Sequence, residues 1–133
     1  MELTSLNYFK MIIFTQQERL KDNLILRKSF EFAILIVDYS DRLEQLKKYV
    51  IARQILRAGT SIGANIREAQ NAESKADFIH KFKISLKEAD ELEYWLLLCN
   101  HCEGFPPTNR LLCDLQEIMR IGSSIVGSAK RKG

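Results

Sequence analysis

The sequence predicts an all-α protein, an up-down-up-down four-helix bundle that forms one domain. Three observations support this prediction. The 133 residues are enough for one hydrophobic core but not for two. Only two prolines and six glycines interrupt the chain, so long helices are permitted. Four segments carry apolar residues at helical spacing, and short polar links separate them.

Three regions are predicted along the chain. Residues 1–21 show no sustained periodicity, and we expect them to form a poorly ordered leader. Residues 22–129 carry the bundle, and residues 130–133 form a basic C-terminal tail. The helices are predicted at about 23–43, 49–71 and 75–99, the third opened by a capping box of Ser74 and Asp77, and a fourth capped by Thr108. The apolar stripe of the fourth helix consists of Leu111, Leu115, Ile118, Gly122, Ile125 and Ala129.

The first predicted helix is apolar on nearly every face. One stripe at helical spacing consists of Phe30, Ala33, Ile34 and Val37. Further apolar residues lie on the other faces, namely Phe32, Leu35 and Ile36. Because a bundle core covers only one side of a helix, we expect a subunit interface to cover another.

The second predicted helix has a core stripe and a glycine-bearing flank. The stripe consists of Ile55, Ala58, Ile62, Ile66 and Ala69. Gly59 and Gly63 lie on the flank, one helical turn apart. A glycine inside a helix costs about 1 kcal/mol relative to alanine, so both positions need a reason. We expect the backbone of a neighbouring helix to approach closely there.

A basic face lies opposite this core stripe. Arg53, Arg57 and Arg67 fall within a narrow wedge of the second helix, and no acidic residue of that helix lies among them. The C-terminal tail adds basic residues, namely Lys130, Arg131 and Lys132. These six are the candidate nucleic-acid-binding residues, and an ordinary solvated face is the alternative. A symmetric ring of subunits would repeat this basic face in every subunit, and the electrostatic fields of the copies would add.

No catalytic constellation is evident in the sequence. Asn65 and Glu68 on the second helix, with Glu88 on the third, could be interpreted as acid–base groups. No nucleophile accompanies a stated base, and no phosphate-binding glycine loop occurs. We expect these three residues to fix helix register and pairing instead, and we predict that the protein is not an enzyme.

Two further groups have alternative interpretations. Cys99, Cys102 and Cys113 could ligate zinc, but the second close pair of a structural zinc site is missing. We expect three thiols near a turn, no bound metal and no cofactor. Tyr94 and Trp95 could stack on bases, although packing is the more common role of aromatic residues in a core-rich helix. The third helix also segregates its charges, with lysines first and acids after them.

Composition and charge limit the classes of function. The chain is 46% hydrophobic and 28% charged, which is typical of a globular protein. The net charge of +3 permits an acidic partner such as nucleic acid without requiring one. No apolar stretch approaches the roughly 20 residues that span a bilayer, and three cysteines suit a reducing compartment. We therefore expect a cytoplasmic protein without membrane contact.

Several motifs carry a resemblance to a known family. They are Gln54–Ile66 (QILRAGTSIGANI), Glu68–Ala69, Ser74 with Asp77–Phe78, and Ile84–Ala89 (ISLKEA) with Glu91, Tyr94 and Trp95. On these motifs the chain, from about Ser29 to Val126, resembles the bacterial proteins encoded in intervening sequences of 23S rRNA genes. The resemblance implies a left-handed four-helix bundle, often assembled as a cyclic homopentamer, to which no catalytic residues are attributed. It also implies similarity to the accessory protein of diversity-generating retroelements, a pentamer that binds nucleic acid and a reverse transcriptase.

Two functional hypotheses follow from these observations. The first is a non-enzymatic homo-oligomer, a pentamer by the resemblance, that binds RNA or DNA through repeated basic patches. The alternative is a protein-interaction or scaffold module that does not bind nucleic acid. Salt dependence distinguishes them, because phosphate contacts release counterions and weaken steeply with salt, whereas apolar contacts do not.

Overall fold

Four long helices joined by short links make up the part of the chain that the structure describes. A computed structural model describes residues 23–132, in which α1 spans Leu24–Gln45, α2 Tyr49–Ala69, α3 Lys75–His101 and α4 Asn109–Arg131. No strand occurs in this part of the chain. Among these helices, α1 and α3 each pack against both α2 and α4, whereas the backbones of the diagonal pairs lie farther apart. The predicted up-down-up-down four-helix bundle is therefore confirmed. The predicted leader, residues 1–21, lies outside the described residues.

Side-chain caps begin two of the helices. The Oδ1 atom of Asn23 accepts a hydrogen bond from the Leu26 amide at 3.1 Å and starts α1. The Ser74 hydroxyl accepts from the Asp77 amide at 3.0 Å and starts α3, as the sequence predicts. The Asp77 carboxylate accepts from the Glu73 amide at 3.3 Å rather than from Ser74. In the usual capping box the acidic side chain accepts from the amide of the cap residue itself, whereas here it accepts from the amide of the residue before it.

A Schellman motif ends α1 and turns the chain towards α2. The Lys48 amide donates to the Leu43 carbonyl at 2.8 Å, and the Lys47 amide donates to the Glu44 carbonyl at 2.9 Å. This geometry places Lys47 in the left-handed region, at φ 63°. Glycine is the usual residue at such a position because it has no Cβ to clash with the backbone.

The core face of α1 differs from the predicted stripe. The buried apolar side chains of this helix are Ile25, Phe32, Ile36, Tyr39 and Leu43. The residues of the predicted stripe are instead half-buried or exposed, namely Phe30, Ala33, Ile34 and Val37. Apolar residues surround this helix, so periodicity alone did not select its core face. The prediction for α2 was correct, since its whole predicted stripe is buried.

The core face of α4 is also rotated slightly from the predicted one. Leu112 and Val126 are buried, whereas Leu111 and Ile125, which were expected in the core, are half-buried. The helix continues through Arg131, so the first two residues of the predicted basic tail are helical.

Thr108 begins α4 without capping it. Its hydroxyl donates instead to the carbonyl of Leu96 in α3, at 2.7 Å, and its amide donates to Asn100 at 3.1 Å. The side chain is fully buried. The prediction that Thr108 caps α4 is therefore wrong, because its hydroxyl instead links α3 to the start of α4.

Two more buried hydroxyls fasten α2 to its neighbours. Ser40 of α1 donates to the Ala52 carbonyl at 3.0 Å. Ser85 of α3 donates to the Ile62 carbonyl at 2.9 Å. Each satisfies a polar group that would otherwise be costly to bury, and each fixes the register of one helix pair.

Crossing a membrane requires a helix that is both long and apolar. None of the four helices in the range 23–132 meets this requirement.

Candidate nucleic-acid interface

Part of the basic face predicted on α2 is neutralised by α3. The Nη1 atom of Arg57 donates to Glu88 at 2.9 Å, and its Nη2 atom pairs with Glu91. Hydrogen bonds to Glu91 and then to Glu88 raise the pKa of Arg57 above its ordinary value. No acid of α2 lies on this face, but α3 supplies two carboxylates to it. Arg57 is therefore already paired and is a poor candidate for phosphate contact.

The other two arginines of the predicted face are far apart. Arg53 and Arg67 are exposed, and neither forms an ion pair within residues 23–132. A helical rise of about 1.5 Å per residue separates them by about 21 Å. Arg53 lies near the acid-rich end of α3, whereas Arg67 lies at the opposite end of the bundle. The three arginines therefore do not form one site.

A different pair of cations meets across α3 and α4. Lys130, near the end of α4, lies beside Lys83 of α3, and this contact and its like charge lower the pKa of Lys130. No carboxylate within the described residues forms an ion pair with either lysine. Both side chains are exposed, so an anion in solution has access to them. Two adjacent ammonium groups repel each other, and an anion bound between them would convert this repulsion into attraction.

Several other basic residues lie at the same end of the bundle. The antiparallel order brings together the start of α1, the end of α2, the start of α3 and the end of α4. We call this surface the basic end, and its members are Arg27, Lys28, Arg67, Lys75, Lys81, Lys83, Lys130, Arg131 and Lys132. Two of them are paired with carboxylates, Lys28 with Glu117 and Lys81 with Glu68. The opposite end carries acids and cations together, so its net charge is only weakly negative: its acids are Asp38, Asp41, Glu44, Asp90, Glu93, Glu103 and Asp114, and its cations are Arg42, Lys47, Lys48, Arg53 and Arg110.

Sequence reasoning did not include Lys83 among the candidate residues. The lysines at the start of α3 were visible in the sequence, and so was the basic end of α4. Because α3 and α4 are antiparallel, these two features together predict that the lysines of α3 and the basic residues of α4 lie at the same end of the bundle. The missing information was the register between α3 and α4, which determines that Lys83 meets Lys130.

The two predicted packing glycines lie against α1. A Cβ on Gly59 would come within 2.6 Å of the Ile36 side chain. A Cβ on Gly63 would lie 3.3 Å from the backbone oxygen of Ser29. The expected close approach of a helix backbone is therefore found at Gly63, whereas at Gly59 the neighbour is a side chain, and both neighbours belong to the same chain.

The three polar residues expected to fix helix register behave differently from one another. Glu68 accepts from Lys81 of α3 at 3.0 Å, and Glu88 pairs with an arginine of α2, as described above. Asn65 instead donates to the Ser61 carbonyl of its own helix at 2.8 Å. The two glutamates therefore connect helices, whereas the side-chain hydrogen bond of Asn65 lies within α2.

The cysteines are dispersed. Cys99 is buried, whereas Cys102 and Cys113 are exposed. Burial raises the pKa of the Cys99 thiol, which disfavours the thiolate that binds metals. In the range that the structure describes, no three His, Cys, Asp or Glu side chains group around a common point where an ion could bind.

The two neighbouring aromatic residues of α3 do not form a flat platform. Tyr94 is 61% exposed, and Trp95 is half-buried. Their ring centroids are 5.4 Å apart and the rings are nearly perpendicular, at 73°. Only the tyrosine ring therefore offers a largely open face for stacking.

An apolar groove runs along the outer seam of α1 and α2. Its volume is about 420 Å³, and it lies on the side of the bundle away from α4. We call it the α1–α2 groove, and its lining residues are Asn23, Leu26, Ser29, Phe30, Ala33, Thr60, Gly63, Ala64, Arg67 and Gln70. Most of its surface is apolar, and among its lining residues in the range 23–132 the charged one is Arg67.

Comparison with known proteins shows to which family the chain belongs. The model of the 23S rRNA-intervening sequence protein family matches residues 21–124, which is most of the chain. The protein belongs to this family. The resemblance inferred from the motifs of α2 and α3 is thereby confirmed.

A solved structure from the same group of proteins is similar to this chain. It is the crystal structure of a protein of unknown function from the S23 ribosomal protein family of Bacteroides thetaiotaomicron. The two sequences are 46% identical, with a TM-score of 0.74, over 77% of this chain and 98% of that one. A search of curated proteins found no match. Membership of the intervening sequence protein family thus shows the fold and gives no activity.

Proposed function

We propose that this intervening sequence protein is a non-enzymatic, cytoplasmic homo-oligomer that binds RNA or DNA through its basic end. The observation that carries the proposal is the concentration of cations at the basic end, where Lys83 and Lys130 lie exposed on neighbouring helices without a carboxylate partner among residues 23–132. Arg131, Lys132 and Arg67 extend the positive charge around them. A phosphate backbone is a ligand whose repeated charges match such a surface.

The proposed mode of binding is sequence-independent. Lysine and arginine side chains on an exposed helical surface contact phosphate oxygens, and such contacts position a nucleic acid without reading its bases. The excess of cations lies at the basic end, whereas acids and cations nearly balance at the opposite end, so the field of the molecule directs phosphate towards the basic end. Arg53 and Arg57, which lie towards the opposite end, contribute little in this arrangement.

Assembly of several copies would strengthen this weak patch. Ile34 and Val37 of α1 are 38% and 42% exposed, and they form an apolar surface beside the α1–α2 groove. Burying such a surface against another copy is favourable. A ring, a pentamer by the family resemblance, would present one basic end per subunit and multiply the number of phosphate contacts.

Fluorescence anisotropy over a salt series tests nucleic-acid binding. The probes are a labelled single-stranded RNA and a labelled DNA duplex. The Lys83→Ala, Lys130→Ala, Arg131→Ala variant should weaken binding and flatten the dependence of log affinity on log salt. For duplex DNA, the slope should fall by about 0.9 for each phosphate that the variant no longer neutralises. Arg57→Ala is the matched control, and it should leave the slope unchanged because Arg57 is already paired with α3.

Two results would contradict the proposal. Absence of binding to both probes at low salt would exclude a nucleic-acid function. A slope that falls with Arg57→Ala but not with the triple variant would assign binding to the α2 face instead.

Light scattering coupled to size exclusion tests assembly: we expect one stable oligomer, which Ile34→Glu with Val37→Glu should dissociate. Ser123→Glu, at an exposed polar position of α4, is the control.

The second candidate function is a protein-interaction module. The exposed apolar surface of α1 favours it, because such a surface can bind a helix of another protein as well as a second copy. In this case binding of the partner depends on Ile34 and Val37 and is insensitive to salt. A chain that is monomeric at micromolar concentration and fails to bind either nucleic-acid probe would favour this function.

A further inference from the structure

We propose that the apolar run Met11–Phe14 of the same chain docks in the α1–α2 groove. Three observations carry this proposal: the chemistry of the groove, the point at which the chain leaves it, and the reach of the intervening residues. It is independent of whether the basic end binds nucleic acid.

The groove has the chemistry of a site for apolar side chains. Leu26, Phe30 and Ala33 of α1 form one wall, and Gly63 and Ala64 of α2 contribute to the other. A volume of about 420 Å³ is large enough for several aliphatic or aromatic side chains.

The chain enters α1 at the edge of this groove. Asn23 is one of its lining residues, and its Nδ2 atom donates to Gln70 Oε1 at 2.9 Å across the seam. This hydrogen bond fixes one end of the groove to the first residue of the described structure. Every residue that precedes Asn23 is therefore tethered to the rim of the groove.

The tether is long enough for the apolar run to reach the whole groove. Residues 15–22 connect Phe14 to Asn23. An extended chain of this length spans up to about 30 Å. Along the α1 axis, the groove extends from Asn23 to Ala33, which is about 15 Å at the helical rise. A short tether gives the run a high effective concentration at the groove, so intramolecular docking is favoured over capture of another molecule.

This docking would be a feature of this chain beyond the family bundle. The family model matches residues 21–124, so the run lies outside the matched region. The groove itself lies within that region. The groove is thus part of the family scaffold, and Met11–Phe14 is the occupant supplied by this chain.

Cysteine labelling in the full chain tests the proposal. The background carries Cys102→Ser and Cys113→Ser, which remove the two exposed thiols, while the buried Cys99 is kept. Ala64→Cys then places a thiol in the groove, and Ser123→Cys places one on the exposed surface of α4. The rate of reaction with a maleimide is measured with the native run and with Ile12→Asp, Ile13→Asp. Gln16→Asp, Gln17→Asp adds the same charge outside the run and is the matched control.

We expect the thiol from Ala64→Cys to react about tenfold faster when the run carries the two aspartates, since the rate follows the fraction of open groove. The control pair at Gln16 and Gln17 should preserve the protection, and the thiol from Ser123→Cys should react equally in every background. Equal rates for Ala64→Cys with and without the native run would overturn the proposal. Protection that disappears on dilution would also overturn it, because the occupant would then be a second copy.

Discussion

A Cβ atom on Gly59 would lie 2.6 Å from Cγ2 of Ile36 and 2.9 Å from its Cγ1. Both residues are buried at the contact between α1 and α2. Ile36 is fully enclosed by the core, so it has little freedom to move away. This contact explains why a glycine stands in the middle of a helix, where it otherwise costs stability.

Gly59→Ala should therefore destabilise the bundle although alanine favours helix. Overpacking costs about 1–3 kcal/mol, which exceeds the gain of about 1 kcal/mol in helix propensity. Gly127→Ala is the control, because a Cβ there meets only the flexible end of Arg131, at 3.4 Å. Urea denaturation should show opposite signs for the two variants. A stabilised Gly59→Ala would mean that Ile36 moves more freely than its burial indicates.

Lys47→Gly should stabilise the protein. Lys47 occupies the left-handed position of the Schellman motif that ends α1, at φ 63°. For a residue with a Cβ this conformation costs about 1 kcal/mol, and glycine avoids the cost. We expect a corresponding rise in the free energy of unfolding, measured by urea denaturation. Lys48→Gly, at the following residue, should bring no gain, since its φ of −91° is accessible to any residue.

Thr108→Val should cost about 1 kcal/mol of stability. The variant keeps the shape of the buried side chain but removes the hydrogen bond to the Leu96 carbonyl, which is 2.7 Å long. Thr60→Val is the matched control, because the Thr60 hydroxyl donates within its own helix to Leu56, where water is accessible. Equal losses for the two variants would show that the bond between α3 and α4 has no special importance.

Stability should decline in mildly alkaline solution, partly through Cys99. Burial raises the pKa of the Cys99 thiol in the folded state above its unfolded value of about 8.5. The unfolded chain therefore loses this proton at lower pH than the folded chain does. The contribution of Cys99 to stability is complete below about pH 8.5 and is lost as pH rises towards the folded pKa. Burial is also the largest cause that raises the pKa of Tyr39, and the charge of Cys99 is the second.

Urea denaturation from about pH 7 to pH 9.5, in the presence of a reductant, measures this effect. Cys99→Ala should remove the part of the decline that begins near pH 8.5. Tyr39→Phe should leave that part in place, because an unfolded tyrosine titrates only near pH 10. An unchanged profile in Cys99→Ala would assign the decline to other groups.

The sequence by itself determined the helices, their order and the core stripe of α2. These properties are local, because apolar residues at a spacing of about 3.6 mark one face wherever the other faces are polar. For the same reason the core face of α1 was not determined. Phe32 and Ile34 are both apolar, and only packing against α2 and α4 decides that Phe32 is buried while Ile34 is exposed.

Tertiary structure alone decided which charges are available for binding. Arg57 appeared to belong to an acid-free face until α3 brought Glu88 and Glu91 beside it. Lys83 and Lys130 are far apart in the sequence, and they meet because α3 and α4 are antiparallel neighbours in one particular register. Helical periodicity specifies the direction of each side chain around its own axis. It does not specify the rotation and the axial shift between two helices, on which every charge pair between helices depends.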